Sequence, residues 1–397
     1  MSLCPICFAD AGPPLLVRDG VPIFLNRPYV TSNAARSAPV GRIEFSFCRD
    51  CDFGFNAAFD PSLAVYDQEY ENEQSHSPAF RQHLEHVIDR AVMVRGTSGG
   101  PVVEIGCGQG EFLRRLAARI GNGALFVGMD PSCRVSATDH GHLRFLPTTL
   151  HEMAPADIPR NPSLVYSRHV IEHIPSPVEF LKEWIRREFV RPTTPILLET
   201  PSLEWIARSG AFTDIVYEHC NYFSASSLRR ILMRAGFQAG WLELVFESQY
   251  FLIAAHKEDQ VAEDALTVPA IGQAVQHFSR VESRLRESWR ARLAEAAGRG
   301  PVAVWGAGAK GVSFVTLLDS GCHRVDCLID VNPAKQGRFV AVTGHKIVSP
   351  ETALGRGVVT AFVMNPNYID EIRARVAALS APIESIPFEG SVNDVWD

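Results

Sequence analysis

Two short stretches constrain this chain more than anything else in its 397 residues. "PVVEIGCGQGEFLRRLA" begins at Pro101 and "PVAVWGAGAKGVSFVTLL" begins at Pro301. Each runs from apolar, β-branched residues through a glycine-rich turn into a helical pattern. Val102–Ile105 and Val302–Trp305 read as buried parallel strands, and Phe112, Leu113, Leu116 and Ile120 recur at helical spacing. A glycine turn at such a junction lets a ligand approach the backbone amides of a helix N-terminus. The expected fold class is therefore α/β, with one Rossmann-like domain in the middle of the chain and a second towards its C-terminus.

The two turns are not alike. In the first, Glu104 lies inside the strand and Gly106, Cys107, Gly108, Gln109 and Gly110 make the turn, an E-x-G-x-G-x-G pattern. A second strand, residues 125–129, ends at Asp130, where an acid can take both hydroxyls of a ribose. The second turn, residues 306–311, fits G-x-G-x-x-G, and Asp330 ends the strand after it. By spacing alone the second is the better dinucleotide fingerprint, so an NAD(P)-dependent oxidoreductase is a rival reading. Against it, the remaining chain suffices for one mononucleotide half, and the dinucleotide fold needs two.

Composition removes other classes. A net charge of −7 argues against a general nucleic-acid or anionic-membrane binder. No apolar run reaches the ~18 residues of a transmembrane helix. "MSLCPICFADAGPP" has no basic or apolar leader pattern, and a cytoplasmic protein with reduced, buried or metal-bound cysteines is expected. Cys4 and Cys7 form one C-x-x-C turn, Cys48 and Cys51 another. Each offers two thiolates to one face of an ion, and two complete a tetrahedral structural zinc site. Residues 1–58 are read as that zinc-binding domain.

The first glycine turn, "LFVGMDPS", "SLVYSRHVIEHIPSPVEFL" and "PILLETPS" follow one another between residues 100 and 257. In that order they resemble the motifs of class I S-adenosylmethionine-dependent methyltransferases. The resemblance implies that Glu104, Gly106, Cys107, Gly108 and Gly110 line the methionine and ribose end of the cofactor and that Asp130 binds the ribose. It places Thr149 and Leu150 near adenine, and Arg168 and His169 towards the cofactor cleft.

If the methyl acceptor is carbon or a hydroxyl, a base must remove a proton. Tyr217, Glu218, His219 and Tyr222 stand on a loop before a helix that Ser224 caps. His219 has the pKa class for base work, although a bracing role for it is the competing reading. His169 and His173 are expected to share a helix face, His169 facing the cleft and His173 structural. In "YDQEYENEQSHSPAF", Tyr70 and His76 are candidates on a lid over the cleft, with a solvated linker as the alternative.

Taken together, the double C-x-x-C, the central "EHCNYFS" and the C-terminal "GAGAKG" resemble the three-part sugar C-methyltransferases, which act on nucleotide-linked deoxysugars. The expected architecture is a zinc domain to residue 58, a methyltransferase domain with a helical lid over 59–257, linker helices over 258–300 and a Rossmann-like substrate domain over 301–397. The resemblance implies structural zinc, S-adenosylmethionine and a small-molecule partner, without nucleic acid or membrane. It carries His219 over as the base with Glu218 as its polar partner, and the C-terminal domain as a holder of the substrate's nucleotide. Gly308, Lys310 and Asn365 are its candidate contacts, Lys310 for a phosphate. Val216 stands where the family has a tyrosine, and an O- or N-methyltransferase of the same architecture stays open.

Overall fold

A computed structural model describes residues 2–121, 123–134, 142–154, 158–257 and 270–388. The chain begins with β1 (Leu16–Pro22), α1 (Ser32–Arg36), β2 (Val40–Cys48) and β3 (Phe53–Asn56). Residues 57–77 contain neither helix nor strand. The central unit follows as α2 (Pro78–Arg95), β4 (Val102–Ile105), α3 (Glu111–Ile120), β5 (Phe126–Met129), β6 (Leu143–Leu146), β7 (Leu164–Arg168), α4 (Pro177–Arg186), β8 (Pro195–Pro201) and α5 (Leu203–Ser209). It continues with β9 (Asn221–Phe223), α6 (Ala225–Ala235), β10 (Phe237–Val245) and β11 (Tyr250–Lys257). The last part is α7 (Gly272–Arg299), β12 (Val302–Trp305), α8 (Ala309–Leu318), β13 (Val325–Ile329), β14 (Ile347–Val348), α9 (Pro350–Gly355), β15 (Thr360–Val363), α10 (Ile369–Ala378) and β16 (Glu384–Pro387).

The central sheet has the order β10-β11-β8-β7-β4-β5-β6. Strands β4 to β8 run parallel, and β11 lies antiparallel between β8 and β10. Every residue of β4 is buried, as its unbroken VVEI predicts. α3 buries Phe112, Leu113, Leu116 and Ala117 on one face, each leucine contributing about 1.5–3 kcal/mol. The chain leaves β4 towards β5 on one side, while β7 pairs on the other. The carboxyl ends of β4, β5 and β7 therefore open into one crevice at the switch point. The C-terminal sheet, β14-β13-β12-β15-β16, is wholly parallel among the described strands.

Two features depart from a chain of separate domains. The first sheet has the order β1-β2-β3-β9, and its fourth strand comes from the middle of the chain. Phe53 pairs with Phe223, Gly54 with Tyr222 and Phe55 with Asn221, so the sheet crosses the expected boundary after residue 58. Gly54 makes this possible, because a Cβ there would lie 2.8 Å from the Phe45 ring and 3.1 Å from the Tyr222 Cβ.

The second feature is α7, expected as a linker. Its 28 residues bury Val275, Phe278, Leu285, Trp289 and Leu293 in one continuous core with Phe45 and Phe47 of the first sheet, Phe314 of α8 and Phe362 of β15. Trp289 stands 5.7 Å from Phe362 and 4.7 Å from Phe388, ring centre to ring centre. The helical pattern was legible, but its apolar face is a joint between the outer domains. Residues 258–269, expected in the same linker, lie outside the described residues.

A buried ion pair locks this joint. Arg18 of β1 meets Glu282 of α7 at 2.7 Å and also donates to the Ile215 carbonyl at 2.7 Å. Burial weakens the Arg18 charge and Glu282 restores it. Removing one member of such a pair strands the other charge. Glu282→Ala is expected to cost about 3–5 kcal/mol in urea unfolding. Replacing both residues with apolar ones of similar volume is expected to recover most of that loss; an additive or larger loss would refute the pair's role.

Candidate active site

The crevice at the switch point is a cleft of about 510 Å³, lined by Gly106, Cys107 and Gly108 at its floor and by Thr149 and Leu150 at one end. Phe59, Tyr66 and Tyr70, from the segment without regular structure, cover it. Gly106, Gly108 and Gly110 all have φ between 53° and 80°. For two of them the reason also lies in the protein: a Cβ on Gly106 would stand 2.0 Å from Val170, and one on Gly110 2.1 Å from Phe145. A Cβ on Gly108 would meet nothing within 4 Å, so that position opens to the cleft. Gly110, expected as a cofactor contact, instead caps α3 against Phe145.

Above this floor stand two acids. Asp130 accepts the Gly108 amide at 2.9 Å and the Ser132 amide and hydroxyl at 2.7 and 2.6 Å, which ties the turn to the end of β5. Glu104 is buried, and its Oε2 has no hydrogen-bond partner. Burial pushes its carboxyl up to about 8; Arg168 pulls it down and Asp130 adds to the rise. An orphaned buried acceptor, an acid at the next strand end and a floor open at Gly108 fit a ligand with a cationic amino-acid end and a ribose. S-adenosylmethionine is such a ligand.

Behind the cleft lies a buried ionic network around Glu199 of β8. It accepts from Arg168 at 3.1 Å and from the Tyr166 hydroxyl at 3.2 Å, and it meets His83 at 2.9 Å and His169 at 3.1 Å. These neighbours hold its carboxyl well below the usual range despite burial. His169 does not share a helix face with His173. It sits past the end of β7 with φ 49°, turned so that its ring lies between Glu199 and Glu172, the latter at 3.3 Å. Burial opposes its charge, but hydrogen bonds to Glu172 and Glu199 outweigh it and raise its pKa to about 9. A non-glycine residue in the left-handed region is the kind of strain that collects at functional sites. The sequence signal for Glu199 was an acid inside an apolar strand, as at Glu104.

At the cleft mouth, loop residues 215–220 meet the short helix Ile171–His173. Glu218 is buried, accepting the Leu25 amide at 2.5 Å and the Tyr70 hydroxyl at 2.8 Å. Its carboxylate is thus engaged away from His219, contrary to the expected pairing. The Glu218 carbonyl accepts from His173 Nδ1 at 2.9 Å, and Tyr66 stands 2.7 Å from the same nitrogen. The carbonyl can only accept, so that contact needs the proton on Nδ1, whereas the Tyr66 hydroxyl can donate to the same nitrogen in the other tautomer. His173, expected to be structural, lines the cleft and crosses the His219 ring at 4.9 Å. Burial, with His173 adding to it, pushes His219 down to about 3, keeping it neutral.

Several expected residues prove to be braces. Tyr222 hydrogen-bonds the Val216 amide and carbonyl at 2.9 and 2.8 Å, and Tyr217 holds the Asp60 backbone at 3.0 Å. Both are buried outside the cleft lining, because each hydroxyl answers backbone groups that a loop leaves unpaired. His76 is exposed on the segment before α2 and does not line the cleft. Lys310 pairs with Asp214 at 2.5 Å over the Trp205 ring, so it is not free for a phosphate. Asn365 exchanges two hydrogen bonds with Gln249, at 2.9 and 3.1 Å, across the joint between sheets.

The second glycine turn is filled by the protein itself. Asn26, buried on the segment after β1, brings its Oδ1 to 3.6 Å from where a Gly308 Cβ would stand. The same oxygen accepts from the buried Lys335 ammonium at 3.2 Å, and Lys335 also donates to the Ala307 carbonyl. Asp330 accepts the Ala307 and Asn332 amides. A side-chain carbonyl and a lysine therefore occupy the place a pyrophosphate would take. Gly308 is thereby corrected from a substrate contact to a docking point for Asn26.

The four paired cysteines come together at the other end of the first sheet. One sulfur from each lies within 4.8 Å of the others, and Cys7 and Cys48 are 3.6 Å apart. Sulfurs placed around zinc at about 2.3 Å lie about 3.8 Å from each other, so the donor set fits the ion. The Ile6 amide donates to Cys4 Sγ at 3.4 Å, and Arg234 of α6 grips the Ile6 carbonyl at 2.6 Å.

Against known proteins, residues 79–239 match the family model described as "Methyltransferase domain", and residues 259–382 match "C-methyltransferase C-terminal domain". C-methyltransferase NovU of Streptomyces niveus is 26% identical over 331 residues, covering 76% of this chain and 75% of that protein. A solved S-adenosylmethionine-dependent methyltransferase from Mesorhizobium loti superposes with a TM-score of 0.35 at 15% identity, covering 44% of this chain and 98% of that one. One from Aquifex aeolicus gives 0.34 at 16%, covering 50% and 98%. Because Asn26 and Lys335 fill the second turn, titration with NADH is expected to show no saturable binding by fluorescence; tight binding would mean that the segment after β1 yields. Of the two glycine turns, the one open to a ligand lies inside the methyltransferase match, and the chain is an S-adenosylmethionine-dependent methyltransferase that carries the C-terminal domain of C-methyltransferases.

Proposed function

We propose that this enzyme methylates a carbon next to a ketone in a small molecule, a nucleotide-linked deoxysugar in the leading case, with His219 as the base. One observation carries the reading. The cleft that holds Glu104 and Asp130 at its floor runs without a break to His173, which lies against His219. The C-terminal match and the likeness to NovU support carbon as the acceptor. The arrangement of acids supports a cationic cofactor rather than a phosphate-rich one.

Glu104 would receive the cofactor's ammonium group and Asp130 its ribose hydroxyls, with Thr149 and Leu150 near the adenine. Bound there, the cofactor supplies an electrophilic methyl group on a positively charged sulfur. His219 is half-buried behind His173, which lines the cleft, and would take the proton from the carbon beside the carbonyl. Burial that pushes its pKa down to about 3 makes it a weak base, so this role requires the bound substrate to raise it. The carbon left electron-rich is the nucleophile, and alignment does most of the remaining work. Glu218 fixes the loop through Leu25 and Tyr70, and its carbonyl stands 2.9 Å from His173 Nδ1. The lid, with Tyr66 and Tyr70, covers the reaction from water.

Asp130→Ala removes a charged acceptor and is expected to weaken S-adenosylmethionine binding by about ten- to a hundredfold in calorimetry. His219→Ala is expected to leave that binding unchanged and to lower turnover by about 10²–10⁴-fold. Full turnover in His219→Ala would remove the base; unchanged binding in Asp130→Ala would move the ribose site.

The Cys4, Cys7, Cys48 and Cys51 cluster is proposed to hold one structural zinc ion. Four thiolates close its coordination and leave no position for chemistry. Elemental analysis is expected to give one zinc per chain at this site. A strong chelator is expected to lower the melting temperature and, with it, activity, because β3 begins just after Cys51 and carries β9. Zinc-free protein with an unchanged melting temperature would sink this assignment.

A further inference from the structure

We propose that Glu172, His173 and His219 form a second metal site, beside the cleft, for one divalent ion of the zinc, cobalt or nickel kind, and that its occupancy blocks methyl transfer. One ligand atom from each of the three lies within 4.8 Å of the other two. An ion at the centre of such a triangle stands about 2.8 Å from each atom, so side-chain movements of about 0.7 Å reach ordinary metal–nitrogen distances.

Each ligand is poised in a way a metal site needs. In the tautomer with the proton on Nδ1, His173 donates to the Glu218 carbonyl, the outer contact that frees Nε2 for a metal. The Glu172 carboxylate is buried; its Oε2 accepts the Thr200 hydroxyl at 3.1 Å, and its Oε1 lies 3.3 Å from His169 Nδ1, the contact an incoming ion would have to share. Neither ring nitrogen of His219 has a hydrogen-bond partner among the described residues; its recorded contacts are the His173 and Tyr222 rings.

The two segments bearing these ligands are clamped together. Cys220 Sγ donates to the Glu172 carbonyl at 3.4 Å, and Asn221 Nδ2 bonds the Ile171 and Ile174 carbonyls at 3.2 and 2.6 Å. The site is therefore assembled before any ion arrives. Two imidazoles and one carboxylate favour borderline transition-metal ions over magnesium or calcium, which prefer oxygen ligands. The blocking effect rests on the proposed role of His219, because an ion would take the lone pair that the proton needs.

Protein retaining its native metal content is titrated with cobalt(II), and binding is followed both by calorimetry and by the visible spectrum, which separates nitrogen and oxygen ligation from thiolate ligation. One cobalt ion per chain with the former signature is expected. Its affinity should fall at least tenfold in His219→Gln and in Glu172→Gln, with magnesium giving no signal. His219→Gln disturbs no hydrogen bond, so its melting temperature is expected to match the parent and to vouch for folding. No cobalt bound with nitrogen and oxygen ligation, or binding undiminished in His219→Gln, overturns the site. Cobalt binding that leaves methyl transfer intact overturns the blocking role. If cobalt binds as described and the untreated enzyme methylates no carbon acid, the metal site stands and the proposed reaction fails.

Discussion

Glu218 buries a carboxylate with one oxygen on the Leu25 amide and the other on the Tyr70 hydroxyl, while its own carbonyl receives His173. Three parts of the chain meet at that one residue: the segment after β1, the segment that carries Tyr70 and the short helix Ile171–His173. A buried carboxylate without such donors would cost several kcal/mol, so the contacts are mutually required. Burial still holds the Glu218 carboxyl above its usual range, with His173 and the Leu25 amide pulling it down. Asn26 extends the chain of contacts, its Nδ2 at 3.4 Å from the Tyr70 hydroxyl and its Oδ1 on Lys335 of the C-terminal domain. The segment that carries Tyr70 is thus tied to the loop before β9, to the segment after β1 and, through Asn26, to Lys335 of the C-terminal domain.

The two glycine turns show how one local pattern takes two fates. Strand, turn and helix form in both places because the same local rules apply, and an acid follows each at the next strand end. What differs is the approach from outside the unit. Over the first turn, Gly108 faces open space; over the second, Asn26 stands close to Gly308, and Lys335 donates to the Asn26 and Ala307 oxygens. The second turn is an intramolecular dock. The group next to Gly308 is the neutral Asn26 amide, and the buried Lys335 ammonium beside it is held by two carbonyl oxygens.

This contrast also marks the limit of what could be read from the sequence. Val102–Ile105, Glu111–Ile120 and Val302–Trp305 were legible residue for residue, because periodicity and glycine placement are local. Ser224 as a cap was legible for the same reason, and its box with Ser227 needs only the helix itself. β9 was not, since a three-residue strand has no signature and exists only where β3 pairs with it. Asn26 and Lys335 are isolated polar residues whose meaning comes from each other, 309 positions apart. His169 and His173 suggested a helix by their spacing, and the left-handed backbone at His169 cancels it. Tyr217 and Tyr222 looked chemical because tyrosines on a loop often are, yet a loop's own unpaired backbone groups claimed both hydroxyls.

Placing β9 in the first sheet has a mechanical consequence for the reaction centre. A strand of three residues is not stable alone, so the position of His219, two residues before it, depends on the β3 edge. β3 in turn starts two residues after Cys51, and the knuckle of Cys4 and Cys7 is gripped by Arg234 of α6, the helix that follows β9. Cysteine cluster, strand, loop and helix therefore close a ring around the loop that carries His219. A metal with no role in chemistry would still govern it, because the ring sets where the loop can stand. The strand donated from the loop that carries His219 is what couples the cysteine cluster to the cleft.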